Sequence, residues 1–263
     1  MPIFQTQFFL NAFLAGTLIG IIAPMIGLFL VVRRYAPLAD TLSHVSLVGV
    51  AAGLLSGLPP MIASTITALV AAFGIEKLRQ SKQIFGESIL VIFLSGSLGI
   101  ASILLSFIEN SNSNLNSYLF GNLNTVTQND LFYLSFITIS TLFFTIIGYR
   151  RLFLICLDEE LAKLSGVRVT LWNNLLIGFA ALVISSSIGS IGVLLISSLV
   201  VIPAISALQL KLSFRSSLIL SICFSVTSVW AGLFLSFSLD LPTSGSIVVC
   251  NLIIFIFSLI WRA

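Results

Sequence analysis

Long apolar runs separated by short polar gaps make up most of this 263-residue chain. A helix needs about 20 predominantly apolar residues to cross the hydrocarbon core of a bilayer. The pattern therefore predicts membrane-spanning helices near residues 8–32, 38–57, 61–75, 89–108, 131–149, 170–188, 190–208, 216–238 and 245–261. The third run is short, and only Gly189 and Ser190 mark the boundary between the sixth and seventh runs. Eight or nine crossings are expected.

The composition is that of a membrane protein, because 58% of the residues are hydrophobic and only 8% are charged. Soluble domains carry about 25% charged residues. Since the polar gaps are short, we predict that residues 1–263 form a single domain, an all-α polytopic bundle of transmembrane helices. Cys156, Cys223 and Cys250 are far apart in the sequence, which predicts neither a disulfide framework nor a thiolate metal site.

Lysine and arginine occur in alternate gaps between the apolar runs. They are Arg33, Arg34, Lys77, Arg79, Lys82, Arg150, Arg151, Lys163, Arg168, Lys211, Arg215 and Arg262. Cytoplasmic loops carry an excess of basic residues, so these gaps are predicted to face the cytoplasm, and nine crossings would leave the amino terminus outside. The gaps at 109–130 and 240–245 contain no lysine or arginine and are predicted to face outward. Because the basic residues are dispersed at the ends of apolar runs, no nucleic-acid partner is predicted.

The sequence PLADTLSHVSL at 37–47 places Asp40 and His44, the only histidine, inside an apolar run. Pro37 favours a helix start here, which puts Asp40 and His44 one turn apart on the same face. A carboxylate oxygen and an imidazole nitrogen at this spacing can bind zinc, manganese or iron(II). We therefore predict that the pair binds a metal ion. The remaining ligands would come from water, from serine or asparagine side chains, or from a second copy of the chain.

Two alternatives stay open for Asp40 and His44. The pair could form a contact that only joins two helices, or it could relay protons in an ion-coupled secondary transporter. Arg34 lies only six residues before Asp40, so the depth of the pair within the membrane also stays open.

Glycine repeats every four residues on the opposite face of the same predicted helix, at Gly49, Gly53 and Gly57. Small residues let a neighbouring membrane helix approach closely. We therefore predict that this glycine face packs against another helix, while Asp40 and His44 face a pathway. A packing face with no bearing on transport is the alternative.

The longest charged segment, 149–174, contains a second candidate site. Asp158, Glu159 and Glu160 are typical of a helix start and Gly166 of a helix stop, which predicts a short amphipathic helix. Its apolar residues, which are expected to form one face for a partner, are Leu161, Ala162 and Leu164. A solvated surface helix has the same periodicity, so the pattern alone leaves both interpretations open.

Catalytic motifs are absent from the sequence. The chain contains no G-x-x-x-x-G-K-[ST] motif, so no nucleotide-binding loop is predicted. A single histidine excludes the H-E-x-x-H motif of zinc metalloproteases. We therefore predict that this chain is not itself an enzyme.

Residues 31–55, VVRRYAPLADTLSHVSLVGVAAGLL, resemble the signature region of the bacterial zinc/manganese-type ABC transporter permeases, in which Asp-x-x-x-His follows a pair of basic residues. Further stretches resemble the same family in the same order. They are 118–131, 157–169 together with 189–207, and 240–249. Any one of these stretches alone is a weak signal, but the ordered set covers most of the chain and is specific.

The resemblance implies a homodimeric, all-helical permease surrounded by lipid in the bacterial plasma (inner) membrane. It also implies a separate cytoplasmic ATPase that drives alternating access and an extracytoplasmic protein that delivers the metal ion. By position, Asp40 and His44 correspond to the pathway ligands, and Asp158 to Val167 to the coupling helix that sits in the ATPase groove. The transported ion is expected to be Zn²⁺ or Mn²⁺, with zinc favoured by DTLSHVSL, and no permanently bound cofactor is expected.

Overall fold

The computed structural model describes residues 7–81, 85–108, 119, 121 and 126–262. Within these residues the chain forms nine α-helices and no β-strand, which confirms the all-α prediction. In chain order they are α1 (Gln7–Val32), α2 (Ala36–Ser56), α3 (Pro60–Gln80), α4 (Gly86–Ser106), α5 (Gln128–Leu157), α6 (Glu159–Leu164), α7 (Val169–Gln209), α8 (Phe214–Leu239) and α9 (Thr243–Arg262). Lys82 and most of the predicted outer gap at 109–130 lie outside the described residues.

Eight of these helices are long and apolar enough to cross a membrane, whereas α6 has only six residues. The predicted short span at 61–75 is longer than the hydrophobic pattern indicates, because α3 continues to Gln80. The carboxylate of Glu76 accepts hydrogen bonds from Arg79 at 2.9 and 3.0 Å and from Gln80 at 3.0 Å. This pairing, three and four residues apart, lets charged side chains continue an apolar helix.

α7 consists of two helical segments joined at Gly192, where the backbone leaves the helical region with φ 79° and ψ 164°. A positive φ of this kind is far more accessible to glycine than to other residues. The segments correspond to the predicted runs at 170–188 and 190–208, but the break lies at Gly192 rather than at Gly189 and Ser190, which remain helical.

Both ends of α7 lie at the end of the bundle where α1 finishes. Asn173, near the start of α7, accepts a hydrogen bond from Arg33 at 2.8 Å. The chain leaves α7 at Gln209 and begins α8 at Phe214, whose ring centre lies 5.3 Å from that of Phe29 near the end of α1. α7 therefore runs out across the bundle and returns, so the described chain crosses the bundle nine times.

The contacts gather the basic gaps at one end of the bundle, as the alternating pattern predicts. The guanidinium group of Arg79 lies 4.5 Å from the ring centre of Tyr35, at the α1–α2 connection. The ring of Tyr149, near the end of α5, lies 6.0 Å from that of Phe214. This basic end carries Arg33, Arg34, Lys77, Arg79, Arg150, Arg151, Lys163, Arg168, Lys211 and Arg215.

α1 and the two segments of α7 form the centre of the bundle. Their buried side chains form one apolar cluster with residues from α2, α3, α5 and α8. Large apolar side chains on the outer faces, such as Phe136 and Phe143 of α5, are exposed. Exposed apolar faces of this kind are expected where helices contact lipid.

Candidate functional site

α2 carries the predicted metal ligands close to the basic end. The helix begins at Ala36, with Pro37 in its first turn as predicted. At a rise of 1.5 Å per residue, Asp40 lies roughly 6 Å and His44 roughly 12 Å along the helix from Ala36. The pair therefore lies in the half of α2 nearest the basic end.

Asp40 and His44 face each other across one turn of α2. Asp40 Oδ1 and His44 Nε2 are 3.7 Å apart, which is too long for a hydrogen bond. Two oxygen or nitrogen ligands of a tetrahedral zinc ion are roughly 3.4 Å apart, so a small side-chain movement would let the pair share one ion. The second imidazole nitrogen, Nδ1, is buried and has no hydrogen-bond partner among the described residues. The spacing of the two side chains suits a bound cation, and they do not form a hydrogen bond with each other.

The pair supplies only two ligands. In the described part of the chain, no group of three or more His, Cys, Asp or Glu side chains is close enough to hold a metal ion. Zinc sites in proteins use three or four protein ligands. Within one copy of these residues, only hydroxyl, amide or water ligands could be added to the pair.

Asp40 and His44 lie on the least covered face of α2. This open stripe consists of Pro37, Asp40, His44, Val48, Ala52 and Leu55. The side chain of Asp40 is 49% exposed and that of His44 is 16% exposed, whereas the other faces of α2 pack mainly against α3, α4 and α7. An exposed carboxylate is costly in contact with lipid. The open stripe is therefore expected to face water or protein.

Two of the three glycines on the opposite side of α2 lie against α3. A Cβ atom on Gly49 would come within 2.6 Å of Ser64 Cα, and one on Gly53 would come within 3.0 Å of Ala63 Cβ. The packing prediction is wrong for Gly57, which ends α2 in the left-handed conformation with φ 73° and would carry its Cβ more than 4 Å from any described atom. Gly57 terminates the helix because the chain must turn there.

The predicted amphipathic helix is present as α6, and both of its ends are closed by hydrogen bonds. Asp158 caps the start, since its Oδ1 accepts a hydrogen bond from the N–H of Glu160 at 2.8 Å. Gly166, with φ 80°, turns the chain at the other end, and the N–H of Val167 donates to the carbonyl of Ala162 at 3.0 Å. These two caps hold a helix that is too short to be stable alone.

The apolar side chains of α6 do not share one face. Ala162 is fully buried and packs with Ile155 of α5 and Val169 of α7. Leu161 and Leu164 point away from the bundle and are 51% and 89% exposed. The prediction that Ala162 belongs to the partner face is wrong, because its side chain anchors α6 to the bundle.

A polar network that the sequence did not predict joins α6 to the connection that precedes α2. Arg33 Nη1 donates to Asn173 Oδ1 at 2.8 Å, and Asn173 Nδ2 donates to Glu159 Oε1 at 3.4 Å. The guanidinium groups of Arg33 and Arg79 lie 5.2 and 4.5 Å from the ring centre of Tyr35. Because Tyr35 directly precedes α2, this basic-end network touches α6 on one side and the start of the candidate metal helix on the other.

The sequence indicates only one part of the basic-end network, the hydrogen bonds of Glu76 with Arg79 and Gln80. Glu76, Arg79 and Gln80 are spaced three and four residues apart within one helix, which is a recognisable pairing pattern. The contact between Arg33 and Asn173 joins residues 140 positions apart, so no periodicity or motif indicates it.

Comparisons with known proteins place this arrangement among metal transporters. The sequence model of the ABC 3 transport family matches residues 5–262. The high-affinity zinc uptake system membrane protein ZnuB of Haemophilus influenzae is 31% identical over 251 residues, covering 95% of this chain and 96% of that protein. The manganese import system permease protein ScaB of Streptococcus parasanguinis is 28% identical over 254 residues, covering 97% and 90%.

A solved structure has the same fold. A chain of PsaBC from Streptococcus pneumoniae, in complex with Fab, superposes with a TM-score of 0.87. It is 29% identical in sequence, and the match covers 97% of this chain and 92% of that chain. The sequence and structure matches therefore agree along nearly the whole length.

Proposed function

This chain belongs to the ABC 3 transport family, and on that premise we propose that it carries a divalent metal ion, zinc in preference to manganese, into the cytoplasm, driven by a separate ATPase subunit. The family consists of ABC permease subunits that take part in metal uptake and are not themselves enzymes. The chain is accordingly a multi-pass protein of the bacterial plasma membrane. The family assignment favours ATP-driven import over the proton-relay alternative.

The partly exposed pair of Asp40 and His44 is the observation that carries the proposal. Ionisable groups inside a membrane protein are costly and usually mark a transport pathway. This pair is spaced for one cation, and the buried Nδ1 of His44 has no partner among the described residues. Imidazole suits zinc, whereas manganese prefers carboxylate, carbonyl and water oxygens. The ligand chemistry supports zinc as the cargo.

A second copy of the chain completes the site in this proposal. Two copies related by a two-fold axis would bring their open stripes together and supply two carboxylates and two imidazoles, the number that a tetrahedral zinc ion takes. The neighbouring helix α4 offers a suitable contact, since a Cβ atom on Gly96 or Gly99 would meet no described atom within 4 Å. Small residues on an uncovered face are typical of helix contacts in membranes.

α6 is the proposed docking element for the ATPase. It lies at the basic end, which the excess of lysine and arginine assigns to the cytoplasm. Its caps make it rigid, Ala162 anchors it to the bundle, and Leu161 and Leu164 are exposed for a partner. An apolar helix face of this kind fits a groove on a second protein.

The basic-end network is the proposed link between the ATPase and the metal pair. A displacement of α6 would act on Asn173 through Glu159, then on Arg33, and so on the connection that fixes the start of α2. Coupling between distant sites can pass through such a continuous chain of packed and hydrogen-bonded groups.

An extracytoplasmic metal-binding protein is the proposed source of the ion. It would deliver the metal to the end opposite the basic end, where the gaps at 57–59, 109–130 and 240–245 contain no lysine or arginine. The absence of positive charge from these gaps avoids repulsion of an arriving cation.

Zinc uptake by a His44→Ala variant tests the proposal. In cells that also express the ATPase, uptake of radiolabelled zinc should fall by more than about tenfold, because loss of even an outer-shell partner costs about 10–100-fold in metal binding. Phe136→Ala, on the exposed outer face of α5 and away from the open stripe, is the control and should keep its uptake. Normal zinc uptake by His44→Ala would overturn the site.

The same assay separates the other parts of the proposal. Faster uptake of manganese than of zinc by the unaltered protein would overturn the choice of ion. Uptake that continues with an ATPase unable to hydrolyse ATP, and stops when the proton gradient is removed, would overturn ATP-driven import.

A further inference from the structure

A groove with apolar walls and two arginines lies between α1, α5 and α8 at the basic end. Its volume is about 470 Å³. Met25, Ile146, Leu218 and Ile219 form its apolar walls. Ile146 and Ile219 are also exposed on the outer surface of the bundle, so the groove opens toward lipid.

The two arginines of the groove, Arg150 and Arg215, are exposed and form no hydrogen bond or ion pair with another described residue. They come from different helices, which touch here through Tyr149 and Phe214 with ring centres 6.0 Å apart. Arg215 also lies in the first turn of α8, where the helix dipole disfavours a cation and favours an anion. The groove therefore has positive charge that this part of the chain leaves unmatched.

We propose that this groove binds an anionic phospholipid of the cytoplasmic leaflet. The phosphate group would lie between the guanidinium groups of Arg150 and Arg215, which can each donate two hydrogen bonds to phosphate oxygens. One acyl chain would lie along Ile146, Leu218 and Ile219. Basic pockets between transmembrane helices on the cytoplasmic side are known to bind phospholipid head groups.

The position of the groove distinguishes a lipid from other occupants. The apolar walls give a free phosphate ion nothing to bind beyond the two arginines. A second copy of the chain is expected on the open stripe of α2. That helix packs mainly against α3, α4 and α7, whereas the groove lies between α1, α5 and α8. Arg150 lies seven residues before Leu157, so a bound lipid would brace the segment of α5 that leads to α6.

Native mass spectrometry of the full chain in detergent, titrated with phosphatidylglycerol or phosphatidylcholine, tests the proposal. Arg150→Gln combined with Arg215→Gln should raise the half-saturating concentration of phosphatidylglycerol by about tenfold or more, as expected from the loss of charge-assisted bonds. Arg151→Gln combined with Lys211→Gln is the matched control, because it removes the same charge at the same end. Arg151 stacks on the ring of Trp172 at 5.1 Å and does not line the groove.

A second variant tests the apolar part of the groove. Ile219→Trp keeps both arginines and fills the space for the acyl chain, so it should also weaken binding of phosphatidylglycerol. Ile219→Trp still tests lipid binding in the groove if the double arginine variant is not monodisperse in size-exclusion chromatography.

Four results would overturn the proposal. They are equal binding of the two lipids, equal losses in the arginine pair and its control, unchanged binding by Ile219→Trp, and displacement of the lipid by millimolar inorganic phosphate. The last result would identify a site for free phosphate.

Discussion

Glu76 and Asp40 are both carboxylates on membrane helices near the basic end, yet their surroundings are opposite. Glu76 is 1% exposed and accepts three hydrogen bonds, two from Arg79 and one from Gln80. The Asp40 side chain is 49% exposed, and its nearest contact with His44 spans 3.7 Å. Among the described residues, the fold provides hydrogen-bond donors for the carboxylate of Glu76 but not for that of Asp40.

We interpret the difference as that between a structural charge and a proposed functional one. A buried carboxylate is tolerated when hydrogen bonds and an opposite charge replace its hydration. Glu76 has both and secures the end of α3. Asp40 has neither at close range within the described chain, so we expect its partners to be an ion, water or a second copy. The comparison predicts that loss of Glu76 damages stability and loss of Asp40 damages transport.

The largest expected effect on stability is that of Glu76→Ala. The substitution leaves the guanidinium group of Arg79 without its carboxylate, and breaking a buried ion pair in this way costs about 3–5 kcal/mol. Thermal unfolding of the purified chain in detergent would measure the loss. Glu76→Ala combined with Arg79→Ala should recover part of it, since no unpaired charge remains. An unchanged unfolding temperature in the single variant would show that Glu76 does not stabilise the fold.

A smaller effect is expected for Asn173→Leu, which removes the acceptor for Arg33. Zinc transported per ATP hydrolysed should fall by about tenfold, because a hydrogen bond to a charged group contributes about 1.5–3 kcal/mol. Asn174→Leu is the control, as Asn174 accepts a hydrogen bond from Gln80 at 3.4 Å instead. Reconstituted vesicles with the ATPase would give both rates. An equal fall in the two variants would indicate a general weakening of α7 and would exclude a specific link through Asn173.

The smallest effect on stability is expected for Asp40→Asn, although zinc uptake should be lost. The amide has nearly the same size, and the carboxylate makes only the long contact with His44, so the free energy of unfolding should change by less than about 0.5 kcal/mol. The same unfolding experiment would measure it. A loss as large as that of Glu76→Ala would show that Asp40 is a structural residue.

The helical fold could be predicted because the sequence itself shows apolar runs that are long enough to cross a membrane. The details that differed depend on local pairing and backbone angles. The run at 61–75 extends to Gln80 because Glu76 is paired within the helix, and the break in α7 lies at Gly192 because that residue adopts positive φ. Hydropathy carries neither kind of information.

The candidate site was predictable only as far as it lies within one helix. Asp40 and His44 are one turn apart, so their spacing is visible in the sequence. The contact from Arg33 to Asn173 and the inward position of Ala162 depend on how distant helices pack. Periodicity cannot indicate contacts that only tertiary packing creates.

The zinc content and ligand set of the purified permease and ATPase complex test whether Asp40 and His44 of two chains hold the transported ion. The complex would be loaded with zinc and studied by metal analysis and zinc X-ray absorption, beside the Asp40→Asn and His44→Ala variants. We expect one zinc ion for two permease chains, coordinated by two imidazoles and by oxygen, and loss of that ion in both variants. Zinc held with unchanged coordination by His44→Ala would exclude His44 as a ligand.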